Sequence, residues 1–496
     1  MKIKSALISV FNKEGIYQLA LALAKNNVTI YSTGGTQTYL ENLGLKVLAV
    51  EDQTNYPPVF GGRVKTLHPA IFGGILFRRG LESDQKERET HKIPEIDLVV
   101  VDLYPFEDTV ASGASHEDII EKIDIGGVSL IRAAAKNHKD VVIVSSKNQY
   151  AKVTEHYIAN NGETELSFRS ELAKEAFQNT THYDNAIASY FAGDKTMPLR
   201  YGENPHQKAE FQGNLDNIFE KLNGKELSYN NLLDVDAAVN LISDVSVAGK
   251  SSFAVLKHNN ACGCAIRSNV KQAYLDALAA DPVSAFGGIF ITDSEIDLDT
   301  AIEIDKVFYE VCIAPAYSAE AQALLSKKEK RILLKWSPKT ETSRQKRSIL
   351  NGYLIQDRAT LNVNEADLTV VTAKKPTLSQ VEDLLFADKL VKNTKSNAII
   401  LVKDGQLLAS GTGQTSRVDA LNQAIAKANA FNFSLKDAVL ASDAFFPFPD
   451  CVEIAGENGI SSIIQPGGSI KDGLSTDKAN ELEISMVHTG IRHFKH

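Results

Sequence analysis

A cluster of polar residues behind a short apolar run has the composition of a proton-transfer site. The run is Phe253–Leu256, and Lys257, His258, Asn259 and Asn260 follow it directly. An unperturbed histidine changes charge near neutral pH and can act as a general base, and a neighbouring lysine can stabilise a developing negative charge. The alternative interpretation is a structural histidine at the end of a strand.

Two cysteines follow this cluster and raise the question of zinc. Cys262 and Cys264 are separated by one residue, but the sequence contains no Cys-x-x-Cys pair, which zinc-dependent deaminases need together with a His-x-Glu segment. We therefore expect no catalytic metal. A zinc-dependent deaminase remains an alternative that metal analysis would test.

Three polar segments in the first third of the chain suit a phosphorylated ligand. Gly61–Pro69 combines a glycine pair with Arg63 and Lys65, and closely spaced cations suit a phosphate or an oxyanion. The turn Thr33–Thr36 stands between a predicted strand and a predicted helix, where backbone amides and hydroxyl groups bind anions. Lys13 follows the first strand. The alternatives are a basic surface loop and ordinary turns.

Acid–base and ring-binding groups also follow predicted strands. Tyr104 ends a strand, and Asp124 and Lys136 bring a carboxylate and an amine into the same region. In the second half, Arg417 stands between a strand and a helix and suits a second phosphate. Phe445–Asp450 places three aromatic rings and a carboxylate in one loop, which suits a flat heteroaromatic ring. Ordinary hairpin packing is the alternative for that loop.

The elements that position these residues alternate between strand and helix. With 496 residues, the chain has room for roughly two to four domains. In the first third the alternation predicts a doubly wound, mostly parallel sheet. The punctuation at Gly193–Pro198 predicts a boundary, so we expect domains at residues 1–193 and 194–496. A weaker break near residues 354–373 predicts two subdomains in the second region.

Composition excludes several classes of protein. Lys and Arg total 53 and Asp and Glu total 62, a net charge of −9, which argues against a protein that coats nucleic acid or an anionic membrane. No run of 18 apolar residues predicts a spanning helix, and the apolar start is too short for a signal peptide core. Four cysteines are too few for a disulfide scaffold, so we expect a cytoplasmic protein with reduced thiols.

Long sequence strings then carry a resemblance that covers essentially the whole chain. In order they are GGRVKTLHP, DLYPF, IDIGG, LIRAAAKNH, LRYGENPHQ, KHNNACG, DPVSAFGG, DAFFPF and HTGIRHF. They resemble a bifunctional purine-biosynthesis family that joins AICAR formyltransferase to IMP cyclohydrolase. The resemblance implies an α/β fold: an N-terminal doubly wound domain similar to methylglyoxal synthase, and a transformylase region of two cytidine-deaminase-like α/β subdomains without zinc.

The resemblance implies two reactions, the last two steps of de novo IMP synthesis. The region 194–496 would transfer a formyl group from 10-formyltetrahydrofolate, a co-substrate, to the 5-amino group of AICAR. The region 1–193 would then close the ring of formyl-AICAR and release water to give IMP. The implied partners are small nucleotide and folate substrates and a second copy of the chain in a homodimer, with no nucleic acid and no membrane. Neither reaction needs a catalytic metal, and a bound monovalent cation is compatible with both.

For formyl transfer, the resemblance implies His258 as the base, Lys257 as the group that stabilises the transition state, and Asn397 as the group that holds the formyl oxygen or the amine. The residues implied to bind the nucleotide are Arg200, Tyr201, Phe286, Gly287, Glu310, Arg417 and Arg492. Those implied to face the folate are Val418, Phe445, Asp450, Ser469 and Ile470.

For ring closure, the resemblance implies catalytic roles for Lys65, Tyr104, Asp124 and Lys136, with Lys136 as proton donor or acceptor. The residues implied to hold the nucleotide, chiefly through its phosphate, are Lys13, Thr33, Gly34, Gly35, Thr36, Arg63, Thr66, Asp102 and Ile125. Because ring closure is intramolecular, holding the two reacting groups together supplies much of the acceleration.

Some positions depart from the family pattern. Asp102 stands where the family usually has asparagine, and an ionised carboxylate can accept hydrogen bonds but cannot donate them. Phe11 replaces a hydroxyl residue, Ala261 replaces a proline, and Pro449 stands where some relatives carry arginine. A non-catalytic phosphate sensor is the alternative for the first domain, against which its acid–base residues argue.

Overall fold

The computed structural model describes residues 1–57, 59–60, 63–337 and 344–496. Within them the chain forms two compact units, Met1–Asp194 and Lys195–His496, which are described separately. Both units combine helices with sheets, as the sequence predicts. No helix in the described ranges has the length and apolarity needed to cross a membrane.

The first unit is built on a five-stranded parallel sheet. Its strands are β1 (Ser5–Ser9), β2 (Thr29–Ser32), β3 (Leu48–Ala49), β4 (Leu98–Val101) and β5 (Val142–Val144), in the order β3-β2-β1-β4-β5. β1, β4 and β5 are almost fully buried because helices cover both faces, as is typical of parallel sheets. The strand order reverses at β1, and ligands of such sheets bind beyond the carboxyl ends of the strands at this point.

Ten α-helices surround this sheet in the part of the first unit that the structure describes. They are α1 (Ile16–Lys25), α2 (Gly34–Asn42), α3 (Val50–Thr54), α4 (Pro69–Leu76), α5 (Glu82–Thr90), α6 (Phe106–Ala111), α7 (His116–Ile120), α8 (Gly126–Lys136), α9 (Tyr150–Ala159) and α10 (Leu166–Ala192). A short 3-10 helix covers Lys147–Gln149. α2 and α8 begin beside the carboxyl ends of β2 and β4, so their first backbone amides face the region where a ligand would bind.

The second unit contains sixteen strands and eight α-helices within the described ranges. The strands are β6 (Lys195–Leu199), β7 (Ala209–Gly213), β8 (Phe219–Asn223), β9 (Ser251–Lys257), β10 (Asn260–Arg267), β11 (Gly288–Thr292), β12 (Tyr309–Ala314), β13 (Ile332–Trp336), β14 (Arg344–Ile349), β15 (Gly352–Asp357), β16 (Thr369–Val370), β17 (Ile399–Lys403), β18 (Gln406–Gly411), β19 (Val439–Ser442), β20 (Ser462–Gln465) and β21 (Ser485–His488).

The helices of the second unit are α11 (Tyr229–Val245), α12 (Val270–Ala280), α13 (Leu298–Asp305), α14 (Ala319–Leu325), α15 (Leu378–Lys392), α16 (Arg417–Ala430), α17 (Asp450–Glu457) and α18 (Asp472–Glu481), with 3-10 helices at Leu215–Asn217 and Glu365–Asp367. Twelve strands form one sheet in the order β16-β21-β20-β19-β17-β18-β10-β9-β11-β12-β13-β8. β14 pairs with β15, and β6 pairs with β7, as separate hairpins.

The large sheet consists of two halves with the same order of elements. In one half, α11 precedes the β9–β10 hairpin, and β11, β12 and β13 alternate with helices; in the other, α15 precedes the β17–β18 hairpin, and β19, β20 and β21 do the same. Both α11 and α15 begin with a capping box. The halves join where Ala265 of β10 pairs antiparallel with Gln406 of β18, and one apolar cluster contains residues of both. The two halves therefore share a sheet and part of a core.

Close approach of a helix to the sheet makes Gly263 of β10 sensitive to substitution. A Cβ atom at this position would lie 1.8 Å from the carbonyl oxygen of Ala277 in α12. We expect Gly263→Ala to destabilise the second unit by about 1–3 kcal/mol, because strand and helix must separate. Scanning calorimetry measures the loss, with Gly352→Ala as control, because a Cβ there meets nothing within 4 Å. An unchanged transition for Gly263→Ala would contradict this packing.

Candidate functional site

The first unit has a cavity of about 610 Å³ beyond the carboxyl ends of its central strands. The residues that line it come from the ends of β1, β2 and β4, from the segment before α8, and from the segment after Arg63. Those that the sequence predicted are Lys13, Thr33, Gly35, Thr36, Arg63, Lys65, Thr66, Asp102, Tyr104, Asp124 and Ile125. Gly61 and Gly62 lie outside the described residues.

Positive charge and backbone donors meet on one side of this cavity. Thr33 stands immediately before α2, whose first backbone amides lack partners within the helix. A Cβ atom at Gly34, which has a φ of 53°, would lie 3.3 Å from Nζ of Lys65, so this ammonium group lies against the start of α2. Lys13 donates from Nζ to the carbonyl oxygens of Val10 and Phe11, at 2.9 and 2.8 Å. The arrangement suits a phosphate group.

The carboxyl group of Asp124 and the phenol of Tyr104 line the same cavity. Oδ1 of Asp124 accepts a hydrogen bond from the backbone amide of Gly127 at 2.6 Å, and the amide of Asp124 donates to the hydroxyl of Tyr183. Burial raises the pKa of Asp124, the hydrogen bond from Gly127 opposes the rise, and the charge of Asp102 adds to it. Burial and the charge of Asp124 raise the pKa of Tyr104. These groups can hold and release protons inside the cavity.

The carboxylate of Asp102 accepts hydrogen bonds from the backbone of the loop after β1. Its Oδ1 accepts from the amide of Phe11, and its Oδ2 accepts from the amide of Asn12 at 2.9 Å. Burial raises the pKa of Asp102, while these two hydrogen bonds and Lys13 lower it. The Phe11 and Tyr104 rings meet edge to face, with centroids 5.5 Å apart. Asp102 thus acts as an acceptor that fixes the loop carrying Lys13.

Lys136 is not among the residues that line the cavity. It is the last residue of α8, whose first residues, Gly126 and Gly127, line the cavity, and its side chain is exposed. Ten residues of α-helix span about 15 Å, which exceeds the reach of a lysine side chain. Helical geometry therefore separates Lys136 from Lys65, Tyr104 and Asp124.

In the second unit, strand direction brings the predicted residues to one edge of the large sheet. β9, β18, β19, β20 and β21 end at this edge, and β10, β11, β12 and β17 begin there. The predicted residues that follow or precede these strand ends are Lys257, His258, Phe286, Gly287, Glu310, Asn397, Arg417, Val418, Phe445, Asp450, Ser469, Ile470 and Arg492.

The turn between β9 and β10 carries the predicted acid–base pair. Nζ of Lys257 donates to the carbonyl oxygens of Phe286 and Gly287, at 2.9 and 3.0 Å. His258 is exposed. Asn260 connects this turn to the other half of the sheet, since its Nδ2 donates to the carbonyl of His258 and its Oδ1 accepts from the amide of Lys395. The histidine is thereby held near the start of β17.

Asn397 and Arg417 belong to a partly buried hydrogen-bonded network. Nη2 of Arg417 donates to Oδ1 of Asn397 at 3.0 Å and to Oδ1 of the fully buried Asp443 at 2.8 Å, and its Nε donates to Ser442. Nδ2 of Asn397 donates to the carbonyl oxygens of Gln414 and Thr415, at 2.9 and 3.2 Å. The network fixes both side chains at the sheet edge.

The predicted folate-facing residues surround the same edge. Phe445 and Ile470 are exposed, Asp450 begins α17 and accepts from the amide of Cys451, and the hydroxyl of Ser469 accepts from the amide of Lys471. Val418 is partly buried in the first turn of α16. An apolar rim with a carboxylate suits a flat heteroaromatic ring.

Other predicted residues pair elsewhere. Arg200 and Tyr201 follow β6, outside the large sheet, where the guanidinium lies 4.6 Å from the Tyr201 ring centroid and donates to its hydroxyl. Glu310 forms an ion pair with Lys225 at 2.6 Å, and the Arg492 guanidinium stacks on Phe494. Arg200 and Tyr201 lie in the loop between β6 and β7, and this loop contacts the start of α11, where Nδ2 of Asn230 donates to the carbonyl oxygen of Glu203.

Sequence reasoning missed several residues of both sites. In the cavity these include Glu121, which pairs with Arg63, and the glycines Gly126 and Gly127. The glycine pair before a helix was a readable signal, since a Cβ at Gly127 would lie 2.4 Å from Asp124. Glu121 gave no signal, because its pairing exists only in the folded unit. Among the described residues, no group of three or more His, Cys, Asp and Glu side chains could hold a metal ion.

Comparisons with known proteins show the family of this chain. The family model described as "AICARFT/IMPCHase bienzyme" matches residues 134–427, and the model described as "MGS-like domain" matches residues 15–129. The bifunctional purine biosynthesis protein PurH of Bacteroides thetaiotaomicron is 56% identical, over 100% of this chain and 99% of that protein. Its namesakes in Aquifex aeolicus and Persephonella marina are 46% and 44% identical, over 99% of this chain and 100% of each protein. The chain therefore belongs to the AICARFT/IMPCHase bienzyme family, with an MGS-like N-terminal domain.

Proposed function

We propose that the two activities of this bifunctional enzyme family, AICAR formyltransferase and IMP cyclohydrolase, are divided between the two units. The family carries out the last two steps of IMP synthesis and uses small-molecule substrates and a folate-type formyl donor. The first unit, Met1–Asp194, closes the ring, and the second unit, Lys195–His496, transfers the formyl group. The observation that carries this division is the separation of the Lys65–Asp124 cavity from the His258 turn in two compact units.

In ring closure, the carboxamide nitrogen of formyl-AICAR attacks the formyl carbon. A carbon–nitrogen bond forms, the formyl oxygen becomes an oxyanion and takes up a proton, and the carboxamide nitrogen loses a proton. The resulting hydroxyl takes up a second proton and leaves as water, while the formamide nitrogen loses its proton and forms the carbon–nitrogen double bond of the ring. The Lys65 ammonium stabilises the oxyanion, and Asp124 and Tyr104 accept and return protons. Lys13, Arg63, Thr66 and the start of α2 hold the nucleotide phosphate, which keeps the two reacting groups together.

The catalytic role of Lys136 rests on the family resemblance alone, because α8 separates this residue from the cavity. The variant Lys136→Ala therefore tests whether Lys136 has the catalytic role that the resemblance implies, although it lies away from the cavity. Loss of ring closure in a folded variant supports the resemblance, and retained ring closure limits the catalytic set to Lys65, Tyr104 and Asp124.

In formyl transfer, the 5-amino group of AICAR attacks the formyl carbon of 10-formyltetrahydrofolate. His258 takes the proton from the amine, the tetrahedral oxyanion collapses, and the bond from the formyl carbon to N10 breaks as N10 is protonated. Nζ of Lys257 has three hydrogens and gives two to carbonyl oxygens, so the third is free for the oxyanion. Both Nδ2 hydrogens of Asn397 have partners, so Asn397 contacts the amine through Oδ1 and does not hold the formyl oxygen.

The substrates of formyl transfer occupy the edge of the large sheet. The nucleotide is bound by Phe286, Gly287, Glu310, Arg417 and Arg492. The folate donor lies against the residues Val418, Phe445, Asp450, Ser469 and Ile470, where the Asp450 carboxylate accepts hydrogen bonds from the pterin NH groups. Neither proposed step uses a metal as a Lewis acid, and a bound monovalent cation is compatible with both.

We also propose a cytoplasmic homodimer. The four cysteines are buried free thiols, in keeping with a reducing compartment. Arg200 and Tyr201 are expected to bind nucleotide, yet they follow a separate hairpin and contact each other. A second copy of the chain resolves this conflict, because these two residues of one protomer can complete the His258 site of its partner.

The cavity predicts the effect of removing its central ammonium group. We expect Lys65→Ala to lower kcat for ring closure of synthetic formyl-AICAR by about 10²–10³, because the oxyanion loses its cation. Formyl transfer should not change. The measurement follows IMP and formyl-AICAR separately, and Lys46→Ala, at an exposed lysine outside the cavity, is the control. Unimpaired ring closure in Lys65→Ala would contradict the assignment.

The turn between β9 and β10 predicts the converse behaviour. We expect His258→Ala to lower kcat for formyl transfer by about 10²–10⁴, because no group then accepts the amine proton. Ring closure by the same preparation should proceed normally. Asp404→Ala is the control, since Asp404 has the equivalent left-handed position in the β17–β18 turn. Tetrahydrofolate formation at the normal rate in His258→Ala would refute the proposed base.

Sites shared between protomers predict complementation. We expect Arg200→Ala and His258→Ala to be inactive in formyl transfer alone and to regain about a quarter of normal activity when dissociated, mixed equally and reassembled, because half of the random dimers then contain one intact site. Analytical ultracentrifugation confirms the dimer, and mixing either variant with itself is the control. A mixture that stays inactive in mixed dimers would show that each site is built from one chain.

A further inference from the structure

The turn that carries His258 has an unusual backbone. Its two residues, His258 and Asn259, both lie in the left-handed region, with φ values of 50° and 64°. Two-residue hairpin turns of this kind usually have glycine at the second position, because L residues with side chains disfavour positive φ. Such conformations persist where the surrounding structure holds them, and they cluster at functional sites.

Asp234 is the side chain that holds this turn. It lies in α11, which packs on β9, and its Oδ1 accepts a hydrogen bond from the backbone amide of Asn259 at 2.6 Å. Burial raises the pKa of Asp234, while this hydrogen bond and the charge of Lys257 oppose the rise. Oδ1 of Asn259 is itself buried and has no hydrogen-bond partner in the described part of the chain, so its own side-chain oxygen does not secure the turn.

The other half of the sheet repeats the same device. Asp383 of α15 accepts hydrogen bonds from the backbone amides of Asp404 and Gly405, at 2.8 and 2.7 Å, in the turn between β17 and β18. Their φ values are 51° and 65°, close to those of the β9–β10 turn. This second turn has the expected glycine and lies at the opposite edge of the sheet, because β17 runs antiparallel to β9.

The comparison of the two turns distinguishes the features that both hairpins need for folding from those found only in the turn with His258. A carboxylate from the preceding helix is the common feature, so it serves the fold of both hairpins. Only the β9–β10 turn has side chains at both positions, and only this turn has the histidine, beside Lys257, at the edge where Asn397 and Arg417 lie. The first position of this turn therefore carries the imidazole where the other turn carries Asp404, and its second position carries Asn259 where the other turn has Gly405.

We propose that Asp234 is a positioning residue for formyl transfer: it fixes the left-handed turn that presents the His258 imidazole to the amine of the nucleotide. This inference rests on the proposed role of His258 as the base. The hydrogen bond, and not the charge, is the essential contribution of Asp234, since its Oδ1 receives the amide of Asn259. Misplacement of a reacting group by about 1 Å can cost a factor of about 10² in rate.

The inference predicts a graded set of rates. We expect Asp234→Ala to lower kcat for formyl transfer by about 10- to 100-fold while KM for AICAR stays within about threefold. Asp234→Asn should stay within about threefold of normal, because the amide Oδ1 accepts the same hydrogen bond. Asn259→Gly introduced into Asp234→Ala should restore kcat to within about tenfold of normal, because glycine adopts the turn without support.

The experiment measures kcat and KM for formyl transfer in the full-length variants, with ring closure as a check on the first unit and circular dichroism and thermal unfolding as checks on folding. Asp383→Ala is the matched control: it removes the equivalent hydrogen bonds and should lower thermal stability while kcat for formyl transfer stays within about threefold. If Asp234→Ala does not fold, the Asp234→Ala/Asn259→Gly variant is assayed in its place, with the same expected recovery.

The outcomes distinguish the inference from the function on which it rests. Normal formyl transfer in folded His258→Ala overturns the proposed function itself. An inactive His258→Ala beside a fully active Asp234→Ala overturns only the positioning role. Equal losses of kcat in Asp234→Ala and Asp383→Ala, a loss in Asp234→Asn as large as that in Asp234→Ala, or a folded but inactive double variant also overturns it.

Discussion

The antiparallel pairing of β10 with β18 is the interaction on which the second unit depends. Through Ala265 and Gln406 it joins two similar halves into one twelve-stranded sheet. Because strand directions then follow from hydrogen bonding, the end of β9 and the start of β17 reach the same edge. The bond from Lys395 to Asn260 ties the two halves together there. Without this junction, the histidine turn and the Asn397 network would belong to separate sheets.

The two halves of this unit contain the same structural feature, but only one half uses it to position a residue with a proposed chemical role. In both halves a helix supplies an aspartate that accepts amides of a left-handed turn, namely Asp234 and Asp383. Where the turn ends in glycine, the backbone adopts this conformation at little cost. Where it contains His258 and Asn259, the same backbone is strained and depends on its neighbours. The strained turn carries His258, the residue that takes the proton from the amine in the proposed reaction.

In the first unit, the main constraint is the balance of positive and negative charge around one cavity. Lys13, Arg63 and Lys65 provide positive charge near the start of α2, while Asp102 and Asp124 are half-buried carboxyl groups whose pKa values burial raises. Asp102 is satisfied by two backbone amides, so its departure from the usual asparagine keeps a loop in place and does not leave an unpaired charge facing the ligand. The cavity therefore offers both cations for an anion and carboxyl groups for proton transfer.

The sequence by itself determined the local features of this protein. The apolar run Phe253–Leu256 predicted β9, strand–helix alternation predicted the parallel sheet of the first unit, and polar residues at strand ends predicted most of the cavity and most of the sheet edge. The sequence grouped Lys136 with Tyr104 and Asp124, whereas the structure places Lys136 at the last residue of α8 and not among the residues that line the cavity. Only the tertiary structure decided which strand ends meet, and hence the partners Asp234–Asn259, Arg417–Asp443 and Arg63–Glu121. Each of these pairs is distant along the chain, and packing and strand pairing, which no local pattern encodes, bring its members together.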